Sequence, residues 1–394
     1  MRARGAIAFG VALLAMLCAG LWLGGHPSKL PSYLRGPFVD DAAGLTAEAA
    51  GLIEDNYFRP VDGDELTDAS LQGMVRGLRR RYRDRFSDYF SAEGLARFNE
   101  AISGRFSGIG LAVTGVKRGL RTDRVFSSSP AEKAGIELGD TIVSVDGESI
   151  AGESSGAATA KIKGPEGTEV TVGVLRPSSG KVRELRLTRA EVALPIVTSR
   201  VEEVDGRKLG YVRLATFSEG SHGVLRGAVR KVERQGAEGI VLDLRANGGG
   251  LLQEAVLAAS VFLPEDEVVV STSSRTQGRT VYRTVGGNLP PRPVVILIDR
   301  NTASAAEILA AALADDAGAK VVGTRSFGKG VFQQEVGLSN GGALKLTIGE
   351  YFTPDGTNLA GKGIHPDVEA RDVPPTPPDE GLRRALRVLA QQGQ

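Results

Sequence analysis

The sequence predicts an α/β protein of several domains: a helical amino-terminal segment, then a β-rich module, then an α/β core. Three observations predict it. Residues 41–100 carry apolar side chains at helical spacing, residues 104–189 break into short strands with turns, and beyond residue 208 strand-like runs alternate with helix-like ones. At 394 residues the chain is long enough for more than one core. Its 52 glycines are about 13% of the residues, against an average near 7%, which fits many tight turns and loops whose backbone N–H groups face a ligand. A net charge of +1 with 24% charged residues argues against nucleic acid as the partner.

Residues 1–25 open with Arg2 and Arg4 and continue as an apolar stretch from Gly5 to Gly25, long enough for a hydrocarbon core that takes about 20 residues. Cys18-Ala19-Gly20 is a poor cleavage site, so an uncleaved membrane anchor is expected in preference to a signal peptide, with the bulk of the chain outside the cytoplasm. Cys18 is the sole cysteine, which excludes an intrachain disulfide and a cysteine metal site; neither metal nor cofactor is expected. Residues 26–40 form a linker with Pro27, Pro31 and Pro37. In the helical region, 41–103, Ala49, Leu52, Ile53 and Tyr57 share one apolar face. Arg76, Arg79, Arg80, Arg81, Arg83 and Arg85 form a basic run read as a solvated face, a lipid or partner contact being the alternative.

The β-rich module, 104–190, contains a turn at Lys163–Thr168 leading into the alternating strand Val170–Leu175. The core, 191–373, has expected strands at Leu209–Leu214, Gly239–Leu244, Val294–Ile298 and Lys320–Gly323, with a helix over Ser304–Asp315. Residues 374–394 begin with a stiff spacer containing Pro374, Pro375, Pro377 and Pro378 and end in an amphipathic helix with Leu382, Leu386 and Leu389 on one face.

Ser304 precedes an alanine-rich apolar run, and Ser304-x-x-Glu307 reads as a capping box that satisfies helix N–H groups. The same position also lies in the positive end of a helix dipole, which favours developing negative charge. Lys329 stands between two glycines in Phe327-Gly328-Lys329-Gly330. The run from Gly323 is one residue short of a P-loop, but the β-type sequence that follows lacks the helix a P-loop must open. A deprotonated lysine can act as general base for a serine hydroxyl, so a meeting of Ser304 and Lys329 would make a hydrolase. Near pH 7 that requires the amine pKa to fall by roughly 3 units, about 4 kcal/mol, so Lys329 is expected to be buried and far from any carboxylate. If Lys329 begins a strand, Gln333 lies on the same face and its amide can orient the amine. His222 and His365 are the rival bases.

Asp243-Leu244-Arg245-Ala246-Asn247-Gly248-Gly249-Gly250 ends a buried strand in three glycines, a loop able to turn consecutive N–H groups toward an oxyanion; its plainer reading is a flexible turn. Asp243 and Arg245 read as structural charges bracing that loop. Ser107-Gly108-Ile109-Gly110-Leu111, then Ser129–Ile136, Gly139-Asp140 and Val145-Asp146-Gly147, succeed one another as glycine loop, small helix and strand turn. This order resembles a PDZ domain, which receives a chain end as an added strand and holds its carboxylate on loop N–H groups.

Taken together, Phe98-Asn99-Glu100, the PDZ-like segment, Asp243–Leu252, Ser304–Ala312, Phe327–Gly330, Tyr351–Gly356 and Gly363–Asp367 resemble, in order, the C-terminal-processing (tail-specific) serine peptidases. The resemblance implies a PDZ-like domain inserted before an α/β peptidase core related to the crotonase-like fold. It implies Ser304 as nucleophile, Lys329 as base, Gln333 as its support, Gly249 or Gly250 with Ala305 as oxyanion donors, and Gly108, Ile109, Gly110 and Leu111 as the tail-binding loop. The partners so implied are proteins with accessible, apolar carboxyl ends. A homo-oligomer through the terminal helices is a further expectation, and an inactive membrane-tethered PDZ scaffold is the alternative. Asn247-Gly248 departs from the family's frequent Asn-Pro, and Arg85-Phe86-Ser87-Asp88 departs from its Asp-Pro-His-Ser.

Overall fold

The computed structural model describes Met16 and residues 41–103, 105–193, 195–371 and 379–392, and the chain divides into two units. The expected anchor, the 26–40 linker and the Pro-rich spacer lie outside the described residues, Met16 apart. Among the described residues no helix is long and apolar enough to cross a membrane.

One unit holds the chain up to Ser91 together with Glu335–Leu346. It contains helices α1 (Asp41–Asn56) and α2 (Gly63–Tyr82) and strand β1 (Asp88–Phe90), which pairs antiparallel with Ala343–Lys345. Helix α2 starts where Asp62 accepts the Asp64 N–H, with Asp64 and Glu65 in the first turn, and stops at Arg83 in the left-handed region. The periodicity that identified α1 does not bury its expected face: Leu52 and Ile53 are exposed, and Tyr57, also exposed, falls just past the helix end. Two helices and a short strand make too small a unit to cover every apolar stripe.

The other unit starts with α3 (Ala92–Ser103) and β2 (Arg105–Gly108). A β-rich module follows: β3 (Leu111–Val116), β4 (Gly119–Val125), α4 (Pro130–Lys133), β5 (Thr141–Val145), β6 (Glu148–Ser149), α5 (Ser155–Ile162), β7 (Glu169–Leu175) and β8 (Val182–Thr188). Its antiparallel sheet has the order β3-β4-β5-β7-β8, with β3 at an edge and β6 beside β5. Alternate residues Val170, Val172 and Val174 of β7 point into a core with Leu120, Ile142 and Ile150. The guanidinium of Arg189 donates to the carbonyls of Lys161, Ile162 and Glu169, tying α5 to β7 from beneath. Strand β9 (Ala190–Ala193) then returns to pair with β2.

The core continues as β10 (Val197–Val204), β11 (Arg207–Leu214), α6 (Ser221–Arg234), β12 (Ile240–Asp243), α7 (Leu252–Ala259), β13 (Val268–Ser274), β14 (Gly278–Arg283), β15 (Val294–Ile298), α8 (Ala305–Ala317) and β16 (Lys320–Gly323). It ends with β17 (Val331–Gly337), β18 (Ala343–Phe352), β19 (Val368–Glu369) and α9 (Glu380–Gln392). The main sheet has the order β10-β11-β12-β15-β16-β19, parallel except for β10. Of its middle strands, β15 is apolar at every position and β12 at all but its last, Asp243, because both faces are covered. Ile240, Leu242, Val294, Ile296 and Ile298 pack with α6, α7 and α8, whereas Val241, Val295 and Leu297 face α9 through Leu382, Leu386 and Leu389. The period of two along each strand sorts the side chains to the two layers.

Replacing Leu389, 1% exposed in that second layer, by alanine is expected to cost about 2–5 kcal/mol of stability, read by chemical denaturation.

Candidate functional site

Parallel strands leave their carboxyl ends as the place where loops can converge on a ligand. The loop from β15 to α8 carries Ser304, and helix α8 starts at Ala305, one residue later than expected, and runs to Ala317. Ser304 itself is the cap, at φ 58° and ψ −122°, a conformation costing on the order of 1–3 kcal/mol for a residue with a side chain. Neighbouring bonds over-determine the turn. Thr302 Oγ1 donates to the Leu244 carbonyl at 2.9 Å, the Ala303 N–H donates to the Asn247 carbonyl at 3.0 Å, and the Ser304 N–H donates to Glu307 Oε2 at 2.9 Å.

Glu307 does more than cap. Its carboxylate is fully buried and accepts four donors. The Ser304 and Lys329 N–H groups reach Oε2 at 2.9 and 3.0 Å, while the Gly328 N–H, at 2.7 Å, and the Ser326 hydroxyl reach Oε1. An unpaired buried carboxylate would be prohibitive, and charge-assisted hydrogen bonds offset that desolvation. One side chain thus fastens the Ser304 turn to the loop that carries Lys329, and the Phe327 N–H adds a 3.0 Å bond to the Thr302 carbonyl. Sequence reading captured only the local half of this, because the other three partners lie 19–22 residues downstream. The available signal was an acid set within the apolar run Ala305–Ala314.

Two expectations about Lys329 change. It is half-buried rather than buried, and its main-chain N–H sits on a carboxylate. It also precedes the strand, since β17 begins at Val331, so alternation along a strand does not place Gln333 on its side. The reason is Glu307, which takes the Gly328 and Lys329 N–H groups that a strand ladder would need. Gln333 is half-buried and donates from Nε2 to Thr347 Oγ1 at 3.3 Å.

The glycine loop abuts the same turn. A Cβ on Gly249, whose φ is +99°, would lie 2.8 Å from Ser304 Cβ and 3.0 Å from the Ala305 nitrogen, so only glycine allows the approach. Asn247 is fully buried, donating to the Leu214 carbonyl and accepting the Gly249 N–H at 2.9 Å. That N–H is therefore occupied, which corrects its inclusion among the oxyanion donors. Among the described residues the Gly250 N–H has no protein partner, and the Ala305 N–H belongs to the first turn of α8, which lacks intrahelical acceptors. Below the loop, Asp243 accepts from Tyr211 Oη and from Arg245, whose guanidinium also reaches Asp379. Burial, then the Asp243 charge, pushes the Tyr211 hydroxyl up to about 12.

His222 places Nδ1 2.9 Å from Glu254, a carboxylate that also takes the N–H groups of Gly220 and His222 at the start of α6, and His365 is exposed. Neither histidine bonds Ser304 among the described residues. In the β-rich module Gly108 ends β2, and Ile109 has its side chain in the core and its carbonyl on the Ala131 N–H. Gly110 takes φ +84° against Ser129, and Leu111 opens the edge strand β3.

A model of peptidase family S41 matches residues 208–370, and a PDZ-domain model matches residues 125–176. The chain is 34% identical over 334 residues to the carboxy-terminal processing protease CtpB of Bacillus subtilis (strain 168), covering 84% of this chain and 68% of that relative. It is 32% identical over 318 residues to CtpA of the same organism, covering 81% and 66%. It thus spans about two thirds of the length of these relatives. Among solved structures it is similar to a photosystem II D1 C-terminal processing protease, at 30% identity and a TM-score of 0.52 over 89% of this chain and 98% of that one.

Glu307→Gln keeps the shape but, with its oxygen on the Ser304 and Lys329 N–H groups, turns an NH2 group against the Gly328 N–H, and is expected to lower stability by about 1–3 kcal/mol in thermal or chemical unfolding.

Proposed function

The chain belongs to the carboxy-terminal processing serine proteases of peptidase family S41, and from that premise we propose that it cleaves proteins near their carboxyl ends with a Ser304–Lys329 dyad. The observation that carries this reading is the buried Glu307 carboxylate, which joins the Ser304 turn and the Lys329 loop through hydrogen bonds of 2.7–3.0 Å. Ser304 Oγ attacks the scissile carbonyl and gives its proton to the neutral Lys329 amine, which passes it to the leaving amine. Water then attacks the acyl-serine ester, Lys329 takes its proton and passes it to Ser304 Oγ as the acyl–oxygen bond breaks, which releases the new carboxyl end. A half-buried lysine gains the rest of its desolvation when a peptide covers it. Gln333, held by Thr347, is assigned to orienting Lys329. The Gly250 and Ala305 N–H groups receive the oxyanion, and Gly249 serves by letting the loop lie against Ser304.

Tail recognition falls to the PDZ domain. Among the described residues edge strand β3 pairs on one side only, which leaves the other for an added strand, and Gly108, Ile109 and Gly110 lead into it at Leu111, where their N–H groups would hold the terminal carboxylate. The apolar residues 5–25 behind Arg2 and Arg4 support a protein that works outside the cytoplasm, tethered by its amino terminus. The exposed Leu52 and Ile53 of α1 support self-association.

The test is incubation of residues 26–394 with a folded protein bearing an unstructured apolar tail. Ser304→Ala and Lys329→Ala are each expected to lower cleavage by about 10³-fold or more; Ser304→Ala with native activity would sink the dyad. Gly249→Ala, which forces a methyl group onto Ser304, is expected to lower kcat by at least about tenfold while leaving tail binding to the isolated chain unchanged in a titration.

A further inference from the structure

Tyr351 lies in β18 with its side chain in the main apolar core, and only 2% of the residue is exposed. Its backbone is pinned beside the dyad loop. The Tyr351 N–H donates to the Gly330 carbonyl at 3.1 Å, and Asn358 Nδ2 donates to the carbonyls of Gly330 and Tyr351 at 3.0 and 3.1 Å. Gly330 directly follows Lys329. The Tyr351 hydroxyl is buried without a well-formed hydrogen bond among the described residues, and the side-chain hydroxyl within its range is that of Ser304.

A buried hydroxyl without a partner costs on the order of 1–3 kcal/mol, and phenylalanine would fill the same space without that cost. Such a group calls for an explanation at the site it faces. We propose that Tyr351 is a positioning residue for Ser304, its hydroxyl donating to Ser304 Oγ as the peptide binds. The inference rests on Ser304 being the nucleophile. A serine hydroxyl has one proton and two lone pairs. With a lone pair taken by the Tyr351 O–H, the serine proton must point elsewhere, and the neutral amine of Lys329 is the acceptor the mechanism supplies. Burial first, and then the negative charge of Glu307, hold the Tyr351 phenol protonated well above its ordinary range, so it stays a donor wherever a neutral lysine can act. Contacts of this kind are commonly long before substrate arrives and tighten in the complex.

The experiment compares Tyr351→Phe, Ser304→Ala and the native chain in steady-state tail cleavage and in thermal unfolding. Tyr351→Phe is expected to lower kcat by about 10- to 100-fold, the scale of a misplaced reacting group, with KM within about twofold and a melting temperature equal to or above native. The proposal is overturned if Tyr351→Phe keeps kcat within about twofold of native while Ser304→Ala is inactive. It is overturned equally if the loss of kcat comes with a melting temperature several degrees lower, since the hydroxyl would then be structural. Activity in Ser304→Ala would remove the nucleophile, and the proposal with it.

Discussion

A carboxylate with no exposure to water holds the catalytic half of this protein together. Glu307 stands in the first turn of a helix whose other buried positions are alanine, isoleucine and leucine, and its polar oxygens are tolerated there because donors surround them. Those donors are the main chain of Ser304, the main chain of Gly328 and Lys329, and the hydroxyl of Ser326. The demand runs both ways. The loop must present its N–H groups to satisfy the acid, and the acid must be present to excuse the loop from joining a strand. Two segments far apart in sequence are thereby set against each other by one desolvation requirement, rather than by many weak contacts.

The surrounding elements relate to that requirement in an orderly way. The parallel sheet supplies rigid ends from which the turns depart, and helices on both faces keep its strands dry. Asn247, also fully buried, does for the glycine loop what Glu307 does for the lysine loop, holding the Gly249 N–H and receiving the Ala303 N–H on its own carbonyl. The strained backbone of Ser304 is tolerable because bonds on both sides of it are already made.

Much of this was legible in the sequence where the signal is local. The apolar run Val294–Ile298 could only be a buried strand, the Ser-x-x-Glu spacing marked the start of α8, and Leu382, Leu386 and Leu389 announced a helix with one covered face. The ordered motifs were specific enough to indicate the family that the relatives bear out. What stayed hidden depends on partners far along the chain. Nothing near Glu307 says that its carboxylate reaches residues 326–329, nothing near Gly249 says that Asn247 occupies its N–H, and nothing near Tyr351 says that its hydroxyl is buried without a hydrogen bond among the described residues. Lys329 lies outside the strand that holds Gln333 for the same reason, since its N–H is taken by a carboxylate distant in sequence. The helical periodicity of α1 was read correctly, but periodicity cannot say whether a neighbour exists to bury the stripe.

Helix α9 carries a consequence for the order of assembly. It follows every strand of the main sheet in sequence, yet its leucines and alanines cover one sheet face, and the carboxylate just ahead of it, Asp379, secures Arg245 under the glycine loop. Until α9 has packed, Val241, Val295 and Leu297 lack that cover, and the brace beneath the glycine loop is half made. The sheet face and the glycine loop therefore settle together, when α9 docks. Assembly of this face is therefore cooperative, because one element both covers the sheet and braces the loop at its end.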